Sequence, residues 1–128
     1  MYLRTYLVED NPTIRENLVA TLKELAQVET VGMADTELEA ESWLTANPDA
    51  WDLVIIDLFL RQGSGMGVLE ACAPLAGDHH LVVLSNYATA DIRARCLGLG
   101  AHAVFDKSND IDSLVDFCVE LSSSRLNT

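Results

Sequence analysis

Short apolar runs alternate with amphipathic stretches along this chain, and the alternation repeats five times. Tyr2 to Val8 is apolar and rich in strand formers, and it ends in Glu9-Asp10. Asn11-Pro12 then supplies a helix start, with Asn as N-cap and proline at the first helical position. Ile14, Leu18, Leu22 and Leu25 keep helical spacing, with Val19 and Ala26 beside them. Val28 to Met33 alternates weakly and predicts a second strand. Asp35 or Thr36 caps a second helix to about Ala46, carrying Leu38 and Leu44, and Asn47-Pro48-Asp49 ends it.

The run Leu53-Val54-Ile55-Ile56 predicts a strand covered on both faces of a parallel sheet, and Asp57 closes it. Leu58 to Gly65 is a loop without regular period. A short helix follows from about Gly65 to Cys72, with Met66, Leu69 and Ala73 inward, and stops near Pro74 and Gly77. Leu81 to Leu84 is a fourth strand ending in Ser85. Thr89 to Leu97 is a helix closed by Gly98 and Gly100. Ala103 to Phe105 is a fifth strand, followed by Asp106-Lys107. Ile111, Leu114, Val115, Cys118 and Leu121 predict a last helix that frays into Ser122-Ser123-Ser124. Five strand–helix alternations demand a parallel sheet with helices on both faces, the doubly wound α/β class. No repeat or linker divides residues 1–128, which read as one domain.

Composition narrows the function. A formal net charge of −12 repels a nucleic-acid backbone, so direct DNA binding is not expected. Cys72, Cys96 and Cys118 are widely spaced in apolar or helical contexts, with no metal-ligand spacing, and read as reduced core residues. No apolar stretch approaches a membrane span and no basic, apolar leader opens the chain. A soluble, cytoplasmic protein is the expectation.

Four of the five strands end in a polar group: Glu9 and Asp10, then Asp57, then Ser85, then Lys107. Ligands of open α/β sheets sit beyond the carboxyl ends of the strands. Neighbouring strands lie about 4.8 Å apart, so adjacency of strands one, three, four and five would bring these groups to one small ligand. Carboxylates 4 Å apart repel by about 4 kcal/mol per pair at an effective dielectric near 20. A hard divalent cation relieves that repulsion, and oxygen ligands with room for water suit Mg²⁺. Lys107 and the Ser85 hydroxyl would face an anion beside it. Together these groups fit transfer of a phosphoryl group onto Asp57.

These residues resemble the receiver domain of two-component response regulators over essentially the whole chain. The likeness is carried by Glu9-Asp10, Asp57 closing its apolar strand, Gly63-Ser64-Gly65, Leu84-Ser85-Asn86, Gly100-Ala101 and Lys107. The resemblance implies a flavodoxin-like fold of strand order 2-1-3-4-5. It implies a histidine kinase or histidine phosphotransfer protein as donor. By the same likeness Asp10, Asp57 and the backbone carbonyl of Phe59 hold Mg²⁺, with Glu9 acting through water, while Ser85 and Lys107 contact the phosphoryl group. Phe59 and Tyr87 flank the acceptor and would limit access of water. The output face is α4–β5–α5, with Arg93, Arg95, Val104, Asp112 and Asp116, and it would serve a downstream protein partner or a dimer. With no effector sequence after Thr128, output is expected through such a partner, unless the chain is a fragment of a larger regulator or hybrid kinase.

Two positions depart from the family. The switch position three before the lysine, usually aromatic, is Val104, so coupling through a rotating ring is in doubt. Ser108 replaces the usual proline after the lysine, and a non-proline cis bond costs about 2.5–4 kcal/mol, so trans is expected.

Plainer readings compete elsewhere. Glu9-Asp10 would also suit a helix N-terminus. His79, His80 and His102 read as surface histidines without a third ligand. Gly63, Gly65 and Gly67 read as turn and helix start, not a nucleotide loop. Asp106 to Asp112 mimics half a calcium loop but has Ile111 where glycine is needed. Trp43 and Trp51 read as packing helix two against the third strand. An aspartyl-phosphate phosphatase would want an acid where Phe59 stands, and a flavin-type phosphate would be repelled by Glu9-Asp10. A receiver-like adaptor that accepts no phosphate is the remaining alternative.

Overall fold

A computed structural model describes residues 2–126; the expectation attached to Thr128 lies outside them. The strands are β1 (Leu3–Val8), β2 (Val28–Ala34), β3 (Leu53–Ile56), β4 (His80–Ser85) and β5 (Ala103–Asp106). The helices are α1 (Pro12–Ala26), α2 (Glu37–Ala46), α3 (Gly65–Cys72), α4 (Ala90–Gly98) and α5 (Ile111–Leu126), with a 3₁₀ turn at Ala73–Leu75. All strands are parallel, in the order β2-β1-β3-β4-β5. This is the flavodoxin-like doubly wound fold expected.

The two-residue period of the strands builds two cores. Tyr6, Val8, Val54, Ile56, Leu81 and Val83 face α2, α3 and α4. Leu3, Leu7, Leu53, Ile55, Val82 and Leu84 face α1 and α5. Because β3 and β4 are central, both faces are dry, and each such side chain contributes roughly 1.5–3 kcal/mol. Helix starts follow local chemistry. The Asn11 side chain accepts from Thr13 and Ile14 N–H, and Thr36, not Asp35, caps α2 through Glu39 N–H.

Several inward assignments need correction. Leu25 is 59% and Leu38 75% exposed. In α3 Val68 and Cys72 are fully buried beside Leu69, whereas Met66 and Ala73 are only half-buried. Trp51 does tie α2 to the start of β3, its indole N–H donating to Leu44 O at 3.1 Å. Trp43 instead stacks on Tyr6 of β1, ring centres 4.6 Å apart. His79 is buried: its ring lies 4.1 Å from Trp51, and its nitrogens face Pro48 O at 2.5 Å and Leu75 O at 3.2 Å. His102 is exposed, and its Nδ1 accepts from Leu81 N–H at 3.0 Å. The last helix does not fray at the serines; Ser122 is buried and the helix runs to Leu126. The three cysteines are free and buried, and burial pushes the Cys72 and Cys118 thiols up to about 12, so neither is a reactive thiolate.

Candidate functional site

The carboxyl ends of β1, β3 and β5 each deliver one side chain, and each is anchored by its own backbone to the neighbouring strand. Glu9 N–H bonds Ala34 O at 3.1 Å, Asp57 N–H bonds Val8 O at 2.9 Å, and Lys107 N–H bonds Ser85 O at 3.0 Å. The three residues therefore ride on the sheet rather than on free loops, which holds their geometry.

Lys107 reaches inward between two carboxylates. Its Nζ lies 2.5 Å from Glu9 Oε1 and 3.0 Å from Asp57 Oδ2. Glu9 is 2% and Asp57 7% exposed. Burial raises the Glu9 carboxyl above its ordinary value; the Lys107 hydrogen bond opposes this and the Asp57 charge adds to it. For Lys107 burial works downward, but its bond to Glu9 and the charge of Asp57 outweigh it, and the ammonium is held more firmly than usual.

Asp10 stands at the more open side, and its Oδ2 accepts from Arg61 N–H at 2.6 Å. Glu9, Asp10 and Asp57 each offer an oxygen, all within 4.8 Å of one another. Opposite ligands of an octahedral Mg²⁺ stand about 4.2 Å apart, so this all-oxygen set fits that ion. Ser85 is fully buried at the end of β4, between the strands that carry Asp57 and Lys107. Its hydroxyl accepts from Tyr87 N–H at 3.1 Å, and among the described residues it makes no hydrogen bond to either side chain.

The loop after Asp57 is a tight hairpin. Phe59 and Ser64 face each other across an antiparallel bridge, and Gly65 N–H bonds Leu58 O at 3.0 Å. Gly63 turns the chain with φ of +82°, which a side chain would strain. A Cβ on Gly65 would fall 2.1 Å from Asp57 O, so only glycine allows the loop to return this close to Asp57. Phe59 and Tyr87 are more than half exposed, and their rings meet edge to face at 5.1 Å over this end of the sheet. A groove of about 600 Å³ opens beside them, lined by Asp10, Phe59, Met66 and Ile92 among others.

Val104 does not reach the outer face expected of it. It is 7% exposed and packs in the α2–α4 core, whereas Arg95, Asp112 and Asp116 are exposed. Arg93 lies over it. Its guanidinium donates to Ala88 O at 3.0 Å, Val104 O at 2.7 Å and Asp110 Oδ2 at 3.1 Å. Asp110 also accepts from Asp106 N–H, and that bond, with Arg93, holds its carboxyl below the usual range. Glu37 is a further residue that the sequence pattern did not single out. Its carboxylate accepts from Ser64 N–H in the loop after Asp57 at 2.7 Å, although it looks like any first-turn acid of α2.

Three acids with a shared lysine stand together at the carboxyl edge of a doubly wound parallel sheet. The chain matches the response regulator receiver domain over residues 5–118 and belongs to that family. Receiver domains of two-component signalling bind Mg²⁺ at an acidic pocket and interact with histidine kinases or phosphotransfer proteins. No curated protein matches the chain in sequence.

Among solved structures, the response regulatory domain of mrkE from Klebsiella pneumoniae is similar, with 16% identity and a TM-score of 0.82 over 98% of this chain and all of that one, 100%. The response regulator domain of Thermotoga maritima CheB has 18% identity and a TM-score of 0.79, over 100% of this chain and 98% of that one. A CheX–CheY complex with BeF3 and Mg from Borrelia burgdorferi has 14% identity and a TM-score of 0.80, over 93% and 88%. At these identities the structures share the fold. No helix among the described residues is long and apolar enough to cross a membrane.

Proposed function

We propose that this chain is a phosphorylation-dependent switch in which Asp57 is the acceptor. The observation that carries the reading is the Lys107 ammonium held between Asp57 and Glu9, at 3.0 and 2.5 Å. A lysine so placed steers a dianionic phosphoryl group onto the adjacent carboxylate. An Asp57 oxygen attacks phosphorus, the phosphorus–nitrogen bond of a donor phosphohistidine breaks, and the imidazole leaves and takes a proton. The donor is a histidine kinase or a histidine phosphotransfer protein. Asp10, Asp57 and the Phe59 carbonyl, with Glu9 through water, would hold Mg²⁺, which would supply further positive charge to the phosphoryl oxygens.

Lys107 neutralises the third oxygen side, and the Ser85 hydroxyl turns from Tyr87 N–H toward the new group. That movement draws in the β4–α4 loop, and Arg93 bonds the same loop at Ala88. The altered surface is α4–β5–α5, offering Arg93, Arg95, Asp112 and Asp116 to a downstream protein or a second copy. The chain acts as a signalling acceptor, with self-catalysed transfer and hydrolysis as its only chemistry. Its place is the cytoplasm, and the net charge of −12 argues against direct nucleic-acid binding.

The test is labelling by acetyl phosphate. Wild type should take up phosphate only with Mg²⁺, and Asp57→Asn should take up none. No labelling of wild type would favour an adaptor, and equal labelling of both would place the acceptor elsewhere.

A further inference from the structure

The acceptor loop is held from outside by a residue twenty positions upstream of Asp57, and the contact is too specific for a surface acid. Glu37, at the start of α2, has its own N–H on Gln62 O at 3.1 Å, beside a bridge between Thr36 and Gln62. Its carboxylate then accepts from Ser64 N–H at 2.7 Å. Two glycines make room for it. A Cβ on Gly63 would stand 2.4 Å from Glu37 Cβ, and one on Gly67 would stand 2.3 Å from Glu37 Oε2. Burial, and then Glu37 one turn back along α2, raise the Glu41 carboxyl above its ordinary value. Glu37 is thus clasped by backbone and glycines along its whole length.

The consequence reaches the site through the hairpin. The Gly65 N–H to Leu58 O bond makes Phe59 and Ser64 a pair whose own amide groups point outward rather than at each other. On one side the outward Ser64 N–H is taken by Glu37. On the other side the Phe59 carbonyl is left outside the ladder, while its N–H turns to Asp57 Oδ1 at 3.3 Å. Shifting Ser64 therefore shifts the carbonyl of Phe59.

We propose that Glu37 is a positioning residue for the metal site, fixing the Phe59 carbonyl through Ser64. The proposal rests on the reading that Mg²⁺ is held by Asp10, Asp57 and that carbonyl. Glu37 touches neither the ion nor the phosphoryl group, and acts by holding the loop in its binding-competent form before the ion arrives.

The test compares wild type, Glu37→Ala and Glu37→Gln in two measurements that need no phosphoryl transfer. Calorimetric titration reads Mg²⁺ affinity, and amide exchange in metal-free protein reads the Ser64 N–H. Glu37→Ala should weaken Mg²⁺ about tenfold, as loss of a group supporting a ligand typically does, and should speed Ser64 exchange. Glu37→Gln removes the charge but keeps an acceptor oxygen, so it should restore both to near wild type. Equal weakening in both variants would mean long-range charge alone and would overturn the proposal. So would wild-type affinity in a folded Glu37→Ala. If wild type itself binds no Mg²⁺, the reading of the metal site fails and this proposal with it. The variants thus separate the two failures.

Discussion

Lys107 and Glu9 stand 98 residues apart in the chain, yet the ammonium and carboxylate meet at 2.5 Å with the Glu9 side chain 2% and the Lys107 side chain 10% exposed. Neither charge would be tolerated there alone, since an unpaired buried ion loses its hydration without repayment. The pair places positive charge beside Asp57, 3.0 Å from its Oδ2.

Removing the ammonium should therefore expose the repulsion it hides. Lys107→Met leaves Glu9 and Asp57 facing each other, and stability should fall by about 3 kcal/mol, the lower end for breaking a buried pair. Mg²⁺ should restore more stability to this variant than it adds to wild type, because the ion relieves the same repulsion. Urea unfolding with and without Mg²⁺ measures both. A variant as stable as wild type without the ion would show that the buried pair contributes nothing.

Glu9 sets a pH dependence whose sign follows from burial. Its folded carboxyl is raised above the ordinary 4.5. A raised group contributes stability that is full below its unfolded value and is lost as pH rises through the folded one. In metal-free protein the Glu9 contribution should fall on going from about pH 4.5 towards neutrality. Glu9→Gln should flatten that part of the curve. Midpoints of urea unfolding across this range, wild type against Glu9→Gln, check it; parallel curves would rule it out.

How much of this was readable beforehand depends on which contacts are local. The unbroken apolar run Leu53-Val54-Ile55-Ile56 announces a central strand because both sheet faces are covered, and the polar strand ends announce the site because the fold gathers them. Leu38 and Leu44 lie about 120° apart around α2 at 3.6 residues per turn, so one stands in water while the other is at 0% exposure. His79 looked like a surface residue since Trp51, Pro48 and Leu75 reach it from other segments. Family resemblance puts Val104 on an outer face, but the parity of β5 turns it into the core. Glu37 gave no signal at all, because its partner is a backbone N–H that no residue identity encodes.

Phe59 and Tyr87 should act together on phosphoryl lifetime. Their rings meet at 5.1 Å over the acceptor end of the sheet, so each steadies the other as a barrier to attacking water. Phe59→Ala and Tyr87→Ala should each shorten the lifetime of phosphorylated protein. The double variant should do so by less than the product of the two, since the ring pair, worth about 0.5–1.5 kcal/mol, can be lost only once. Decay of the labelled protein in Mg²⁺ gives the rates. Purely multiplicative effects would mean that the rings act separately.

With Val104 in place of an aromatic switch, the signal should leave the site through Arg93. Arg93 bonds Ala88 in the β4–α4 loop, Val104 in β5 and Asp110 ahead of α5, three segments through one guanidinium. If the β4–α4 loop moves toward a phosphoryl group, these bonds should carry the displacement to β5 and the start of α5, while Val104 stays packed in the core. Beryllofluoride with Mg²⁺, added to wild type, should change amide exchange both in residues 86–89 and in residues 104–110. In Arg93→Ala the first change should persist, because Ser85 is intact, and the second should be lost. Asp110→Asn keeps an acceptor oxygen but loses the charge, and should lose the second change only in part. Asp110 is held below its ordinary 3.8, so its charge is complete at neutral pH and its contribution fades only as acid takes the pH down through the folded value. An unaltered response of residues 104–110 in Arg93→Ala would remove Arg93 from the route and leave the α4 backbone as the carrier.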